Sequence, residues 1–181
     1  MKHLKSTARN LRELFNHSIS VNYITEPILS YDAESVADQV KEIASKKGYD
    51  SVGVRENGVV TGFVDIAELQ GKTLGESRQS FNSDDLIDAT SSMVDAIRKI
   101  KHKERLFVRS FGHVNGIVTH GDLQKQPVRM WLFSLISMIE MQMLRIIREA
   151  HPNDTWSKLL KENRLASAKV LHEKRLKLNE D

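Results

Sequence analysis

The chain is built on an internal duplication. "YDSVGVRENGVVTGFVDIAEL" (Tyr49 to Leu69) lies over "KERLFVRSFGHVNGIVTHGDL" (Lys103 to Leu123) without a gap, so that Val54-Arg55 falls on Val108-Arg109, Gly62 on Gly116 and Leu69 on Leu123. Upstream, "AESVADQVKEI" (Ala33 to Ile43) falls on "TSSMVDAIRKI" (Thr90 to Ile100). A repeat of this kind constrains the fold strongly, because each copy must form one supersecondary unit and bury its apolar face against a neighbour. The order within a copy is legible. An extended piece ("EPILS"; "DLIDA") leads to a helix with apolar residues three and four apart, namely Val36, Val40 and Ile43, then Val94, Ile97 and Ile100. Two β-rich runs follow, joined by Asn57-Gly58 in the first copy, the strongest short hairpin signal, and by Phe111-Gly112 in the second. A further helix is expected directly after the last strand, around Asp65 and around His120. The expected class is mixed α/β (α+β): two tandem β-α-β-β-α units forming one pseudo-twofold module, with N- and C-terminal helices. The expected segments are 1–20 (N-terminal helical), 21–75 (first unit), 76–127 (second unit) and 128–181 (helical extension).

Composition narrows the chemistry. The 181 residues, 40% hydrophobic and 28% charged, suffice for one sizeable core or two small ones. No cysteine is present, which excludes disulfides, thiolate metal sites and a cysteine nucleophile. The opening "MKHLKSTARNLRELFNHS" lacks a continuous apolar run of the secretory kind. The longest uncharged apolar run, Met130 to Ile139, is shorter than the roughly 20 residues of a spanning helix, so no membrane partner and a cytoplasmic location are expected. A formal charge of +3 permits an anionic partner without requiring one. There is no Walker loop, no His-Glu-x-x-His and no Gly-x-Ser-x-Gly, and the seven histidines are scattered. Neither catalytic residues nor a metal site are expected, and the chain reads as a non-enzyme.

The residues resemble the paired cystathionine-β-synthase (CBS) domains, or Bateman module. "YITEPILSYDAESVADQV" resembles that family's Met-Thr-x-Pro-hydrophobic opening, with Ile24 in the Met place, and "GIVTHGDL" (Gly116 to Leu123) resembles its closing Gly-h-h-Thr/Ser-x-x-Asp-h. The resemblance covers residues 20 to 126. It implies a regulatory sensor that binds an adenine nucleotide (AMP, ADP, ATP or an adenosyl derivative) in a cleft between the copies and needs no other cofactor.

The chemistry of "GIVTHGDL" suits that role. A carboxylate accepts from two neighbouring hydroxyls, so Asp122 can hold a ribose diol, with Thr119 completing the contact beside the Gly116-Ile117-Val118 strand end. The N–H groups of a following helix could face a phosphate, which His120 could also approach. Alternatively, an Asp at a helix start is simply a cap. By resemblance, the adenine would sit against the other copy, near Thr25, Ile28 and the Gly48-Tyr49-Asp50 lead-in, with Tyr49 as a stacking face. The first copy departs from the pattern: Asp65 stands in the Thr place and Glu68 in the Asp place. Two carboxylates, with Glu104 where relatives often carry a basic phosphate contact, repel a nucleotide. One competent cleft per chain is therefore expected.

Past Pro127, "VRMWLFSLISMIEMQMLRIIREA" is apolar on nearly all faces and needs partners on several sides. A second copy of the chain is the expected one, giving a homodimer, with another protein on the 128–150 helix or an ordinary core helix as alternatives. The basic tail carries no recognised nucleic-acid motif, so nucleic acid is not an expected partner. The competing readings are an adaptor with vestigial clefts and a nucleic-acid regulator acting through the basic termini.

Overall fold

A computed structural model describes residues 8–178. Residues 9–134 form one compact unit, and residues from 135 onward belong to another. The first contains both copies. Helix α1 (Ala8–Ser18) precedes β1 (Glu26–Pro27), β2 (Ser30–Asp32), α2 (Ala37–Lys46), β3 (Ser51–Glu56) and β4 (Val59–Asp65). The second copy supplies β5 (Leu86–Asp88), α3 (Met93–Ile100), β6 (Arg105–Ser110) and β7 (His113–Thr119). In each copy the first strand runs parallel to the second and the second antiparallel to the third: β2-β3-β4 and β5-β6-β7.

Local chemistry explains the parts the copies share. Both hairpins turn through two left-handed residues, Asn57 and Gly58 (φ 50° and 79°) and Phe111 and Gly112 (φ 51° and 85°), the backbone that matches strand twist. Each central strand carries a register shift at the same place, after Val54 and after Val108. Cross-strand ion pairs recur as well, Arg55 to Asp32 at 3.0 Å and Arg109 to Asp88 at 2.8 Å. Val52, Val54 and Val64 are fully buried, as are their counterparts Leu106, Val108 and Val118. Ile28, Phe63, Phe107 and Val114 form a further cluster drawn from both copies.

The edge strands are exchanged. β1, which precedes the first copy, pairs antiparallel with β7 of the second, Glu26 opposite Ile117 and Pro27 opposite Gly116. Reciprocally, Gln79, which precedes the second copy, bonds to Phe63 of β4 in both directions (3.0 and 2.8 Å). This crossing accounts for the duplicated glycine. A Cβ on Gly62 would lie 2.4 Å from the Gln79 carbonyl oxygen, and one on Gly116 would lie 2.2 Å from Thr25 Cγ2. Glycine stands where the other copy's edge comes closest.

Two expectations are corrected. The buried helical stripes are Ala37, Val40 and Ala44 on α2 and Met93, Ala96 and Ile100 on α3, whereas Val36 and Ile43 are exposed and Val94 and Ile97 only half-buried. The buried alanines let each helix approach its sheet, with Val40, Met93 and Ile100 filling the stripe between and beside them. The helices expected after β4 and β7 are short 3₁₀ turns, Ile66–Glu68 and Gly121–Gln124. A helix running on from Gly121 would carry Pro127 in its interior, where proline removes a hydrogen bond and clashes with the preceding turn. The chain instead extends at Lys125 and restarts as α4 (Gln126–Ala150), with Pro127 in the first turn.

The second unit continues α4, then a 3₁₀ segment (Pro152–Leu159) and α5 (Glu162–Leu178). One face of α4 buries Val128, Trp131, Ser134 and Met138. Leu132, Ile136, Ile139, Met143 and Ile146 on the other side are all about half exposed. The uncharged run understated this helix. Among the described residues, α4 is the one helix long and apolar enough to cross a membrane by length and composition, once Glu140 and Arg145 are admitted.

Candidate functional site

The exchange of β1 places the two copies face to face over an open cavity of about 670 Å³. One wall comes from Glu26 to Leu29 and Gly48 to Ser51, the other from Glu104, Arg105, Ile117, Thr119 and Asp122. Of the residues singled out in the sequence, Ile28, Tyr49, Asp50, Ile117, Thr119 and Asp122 line it together. The other four do not. Val118 is fully buried in the core, and Gly116 serves the approach of β1. Thr25 turns its hydroxyl to the Val21 carbonyl at 2.9 Å. His120 is exposed and lines an adjoining open depression, which shares Asp50, Glu104 and Thr119 with the cavity.

Asp122 is a buried acid with defined partners. Its Oδ2 accepts from the Thr119 backbone N–H at 2.8 Å and from the Thr119 hydroxyl at 3.0 Å. Its Oδ1 meets Lys125 Nζ at 2.9 Å. Lys125 also donates to the Ile24 carbonyl oxygen at 2.9 Å and to the Glu26 carboxylate. Burial pushes the Lys125 ammonium down, but its bonds to Asp122 and Glu26 outweigh that and hold its pKa above the ordinary lysine value. One lysine therefore ties the turn after β7 to the strand that walls the cavity. These three contacts leave one of the carboxylate's about four acceptor sites free.

The helix expected to face a phosphate directly after β7 is only the four-residue turn Gly121–Gln124. Sequence reading also missed Lys125 and Arg105. Lys125 stands three residues from Asp122, a spacing that could have flagged it. Arg105 lies opposite Thr119 in the β6-β7 hairpin, but the register shift after Val108 hides that pairing from a simple count back from the turn.

The equivalent place in the other half is filled from within. Where the open cavity has Ser51 and Thr119, the repeat puts Arg105 and Asp65, and these form an ion pair at 2.5 Å with both side chains largely buried. Ile117 on the cavity wall has Phe63 as its repeat equivalent, and Phe107 stands where the first copy has Gly53. Their ring centroids lie 4.6 Å apart, and Phe81 packs 4.8 Å from Phe107. The Arg105 guanidinium lies 5.1 Å from the centre of the Phe63 ring, a cation–π contact. Only about 180 Å³ remains, lined by Phe63, Arg105 and Phe107 with Asp85, Lys103 and Glu104. Glu68 is taken up by the Gln79 side-chain amide at 2.9 Å. Asp65 and Glu68 thus have internal partners, and an internal guanidinium occupies the second cleft.

No protein-family model matches the sequence, and no curated protein matches it. Solved structures do match. CbpB in complex with c-di-AMP aligns over 72% of this chain and 97% of its own, at 15% identity and a TM-score of 0.56. CBSX2 in complex with AMP aligns over 61% and 97%, at 18% identity and a TM-score of 0.51. The CBS domain of a bacterial CNNM/CorC family Mg2+ transporter in complex with ATP aligns over 67% and 94%, at 14% identity and a TM-score of 0.50. With the duplication, the exchanged edges and these matches in agreement, the chain has the fold of tandem CBS domains, followed by a helical extension.

Proposed function

We propose that this chain is a cytoplasmic, non-catalytic regulatory protein that binds an adenine nucleotide or adenosyl derivative in the open cleft and signals through its helical extension. The observation that carries this reading is the 670 Å³ cavity with Thr119 and Asp122 on one copy facing Ile28, Tyr49 and Asp50 on the other. The Asp122 carboxylate accepts from one ribose hydroxyl at its remaining site, the Thr119 hydroxyl, which donates to Asp122, accepts from the other, and the base lies against Ile28 and Ile117 with the Tyr49 ring beside it. Bound AMP, ATP and c-di-AMP in solved structures of the same fold support the ligand class. Calorimetry with adenosine, AMP, ATP and c-di-AMP tests it. At least one should bind, and Asp122→Ala should weaken that ligand by about tenfold or more, the equivalent of about 1.4 kcal/mol. Silence from all four at millimolar concentration overturns the reading.

The partner of the extension is a second copy of the chain. On α4 the exposed residues Leu132, Ile136, Ile139, Met143 and Ile146 alternate four- and three-residue steps, the repeat of a helix-pairing seam. Covering them with Phe133 and Ile147 would bury roughly 700 Å² per copy, close to the ~800 Å² per partner of a standard interface. Insertion into a bilayer is disfavoured by Glu140 near the middle of the helix, at about 2.5–3.5 kcal/mol for a central charge. Sedimentation equilibrium should show a dimer that Ile139→Glu converts to monomer; a monomeric wild-type chain refutes the pairing.

A further inference from the structure

Resting on the ligand class proposed above, we infer that the cleft selects an adenosine whose 5′ substituent is neutral or positively charged, and discriminates against nucleoside polyphosphates. The charges on its walls carry this. Glu26, Asp50, Glu104 and Asp122 line the cavity, against a single cation, Arg105. That cation is already committed: one guanidinium nitrogen pairs with Asp65 at 2.5 Å and another lies 3.6 Å from Glu104. Lys125, the nearest further cation, is taken up by Asp122, Glu26 and the Ile24 carbonyl. No free positive charge remains on the cavity wall among the described residues.

The way out is also acidic. The cavity adjoins the neighbouring depression at Asp50, Glu104 and Thr119, the three residues common to both. A 5′ group leaving a ribose held at Asp122 passes the Asp50 and Glu104 carboxylates. Beyond them stand Lys101, His102 and His120, all exposed to solvent, and Lys103, which is paired with Asp85. A solvated lysine offsets little of the repulsion between a triphosphate and two carboxylates at the rim, whereas a sulfonium or ammonium group there is attracted. The same charges that exclude ATP would favour S-adenosylmethionine.

The test is calorimetry on the full chain with adenosine, S-adenosylmethionine, AMP and ATP, at low and at high salt and with a chelator present so that no divalent ion screens the phosphates. Adenosine and S-adenosylmethionine should bind about tenfold or more tighter than ATP at low salt, and salt should narrow the gap by screening. Glu104→Lys, at a side chain 93% exposed and so tolerant of change, should shift the preference toward ATP. ATP binding as tightly as adenosine, or an unchanged ratio in Glu104→Lys, overturns the inference while leaving the ligand class standing. Silence from all four overturns this inference, and with c-di-AMP silent as well the underlying reading of the cleft fails too.

Discussion

Gly116 offers the sharpest test of the exchanged architecture. Gly116→Ala places a Cβ 2.2 Å from Thr25 Cγ2, 3.1 Å from the Glu26 carbonyl oxygen and 3.4 Å from Val108 Cβ. The methyl of Thr25 cannot simply rotate away, because the hydroxyl on the same carbon donates to the Val21 carbonyl at 2.9 Å. Nor can β1 recede without losing its pairing with β7 and the bond from Ile28 N–H to the Asn115 carbonyl at 3.2 Å. Overpacking of this kind costs typically 1–3 kcal/mol, and with both relief routes closed the upper half applies, about 2–3 kcal/mol. For a chain of this size that is a fall in Tm of roughly 5–10 °C. The clash is with one methyl, so Thr25→Ser, which keeps the hydroxyl and removes Cγ2, should rescue. Alone it costs about 0.8 kcal/mol for the lost methyl. Combined with Gly116→Ala it should leave the chain within about 1 kcal/mol of Thr25→Ser itself, a favourable coupling of at least ~1 kcal/mol in a double-mutant cycle read by thermal or urea melts. An additive cycle, or a Gly116→Ala protein that melts like the wild type, would falsify the claim that the glycine exists to admit the other copy's edge.

Further outcomes follow from single side chains. Phe111 is fully exposed and held at φ 51°, a left-handed backbone that bulky residues adopt at a cost, so Phe111→Asn, the residue of the other hairpin, should raise stability by about 1 kcal/mol; an unchanged or lower Tm counts against stored strain there. The Lys103 ammonium beside Asp85 holds its carboxyl below the usual carboxylate range, so its stabilisation is present above that range and is lost as pH falls through the folded-state value. Asp85→Asn should therefore lower Tm at neutral pH, and its gap from the wild type should close below about pH 4; a gap constant down to pH 3 refutes the assignment. Removing the Asp122 carboxylate leaves the half-buried Thr119 N–H without its acceptor, so Asp122→Ala should also cost about 1 kcal/mol in the absence of ligand, read as a lower Tm.

Sequence alone carried what depends on near neighbours. Residues two to four apart fixed both turns, the alternating strand cores and the existence of two equivalent halves, because backbone conformation and strand faces are set by adjacent side chains. The acid and alcohol at the end of β7 were legible for the same reason, being three residues apart. The tertiary structure decided what depends on distant chain segments meeting. Thr25 and Gly116 are brought together by an exchange of edges that no local pattern announces. Lys125 bridges to Glu26 across the same junction. Which of two equivalent clefts stays open was decided by volume and charge: Phe63, Phe107 and Arg105 fill one, whereas their repeat equivalents Ile117, Gly53 and Ser51 are all smaller. Helical periodicity identified α2 and α3, but the side turned to the sheet was chosen by how closely alanines let a helix approach, a property of the packed pair that neither element holds alone.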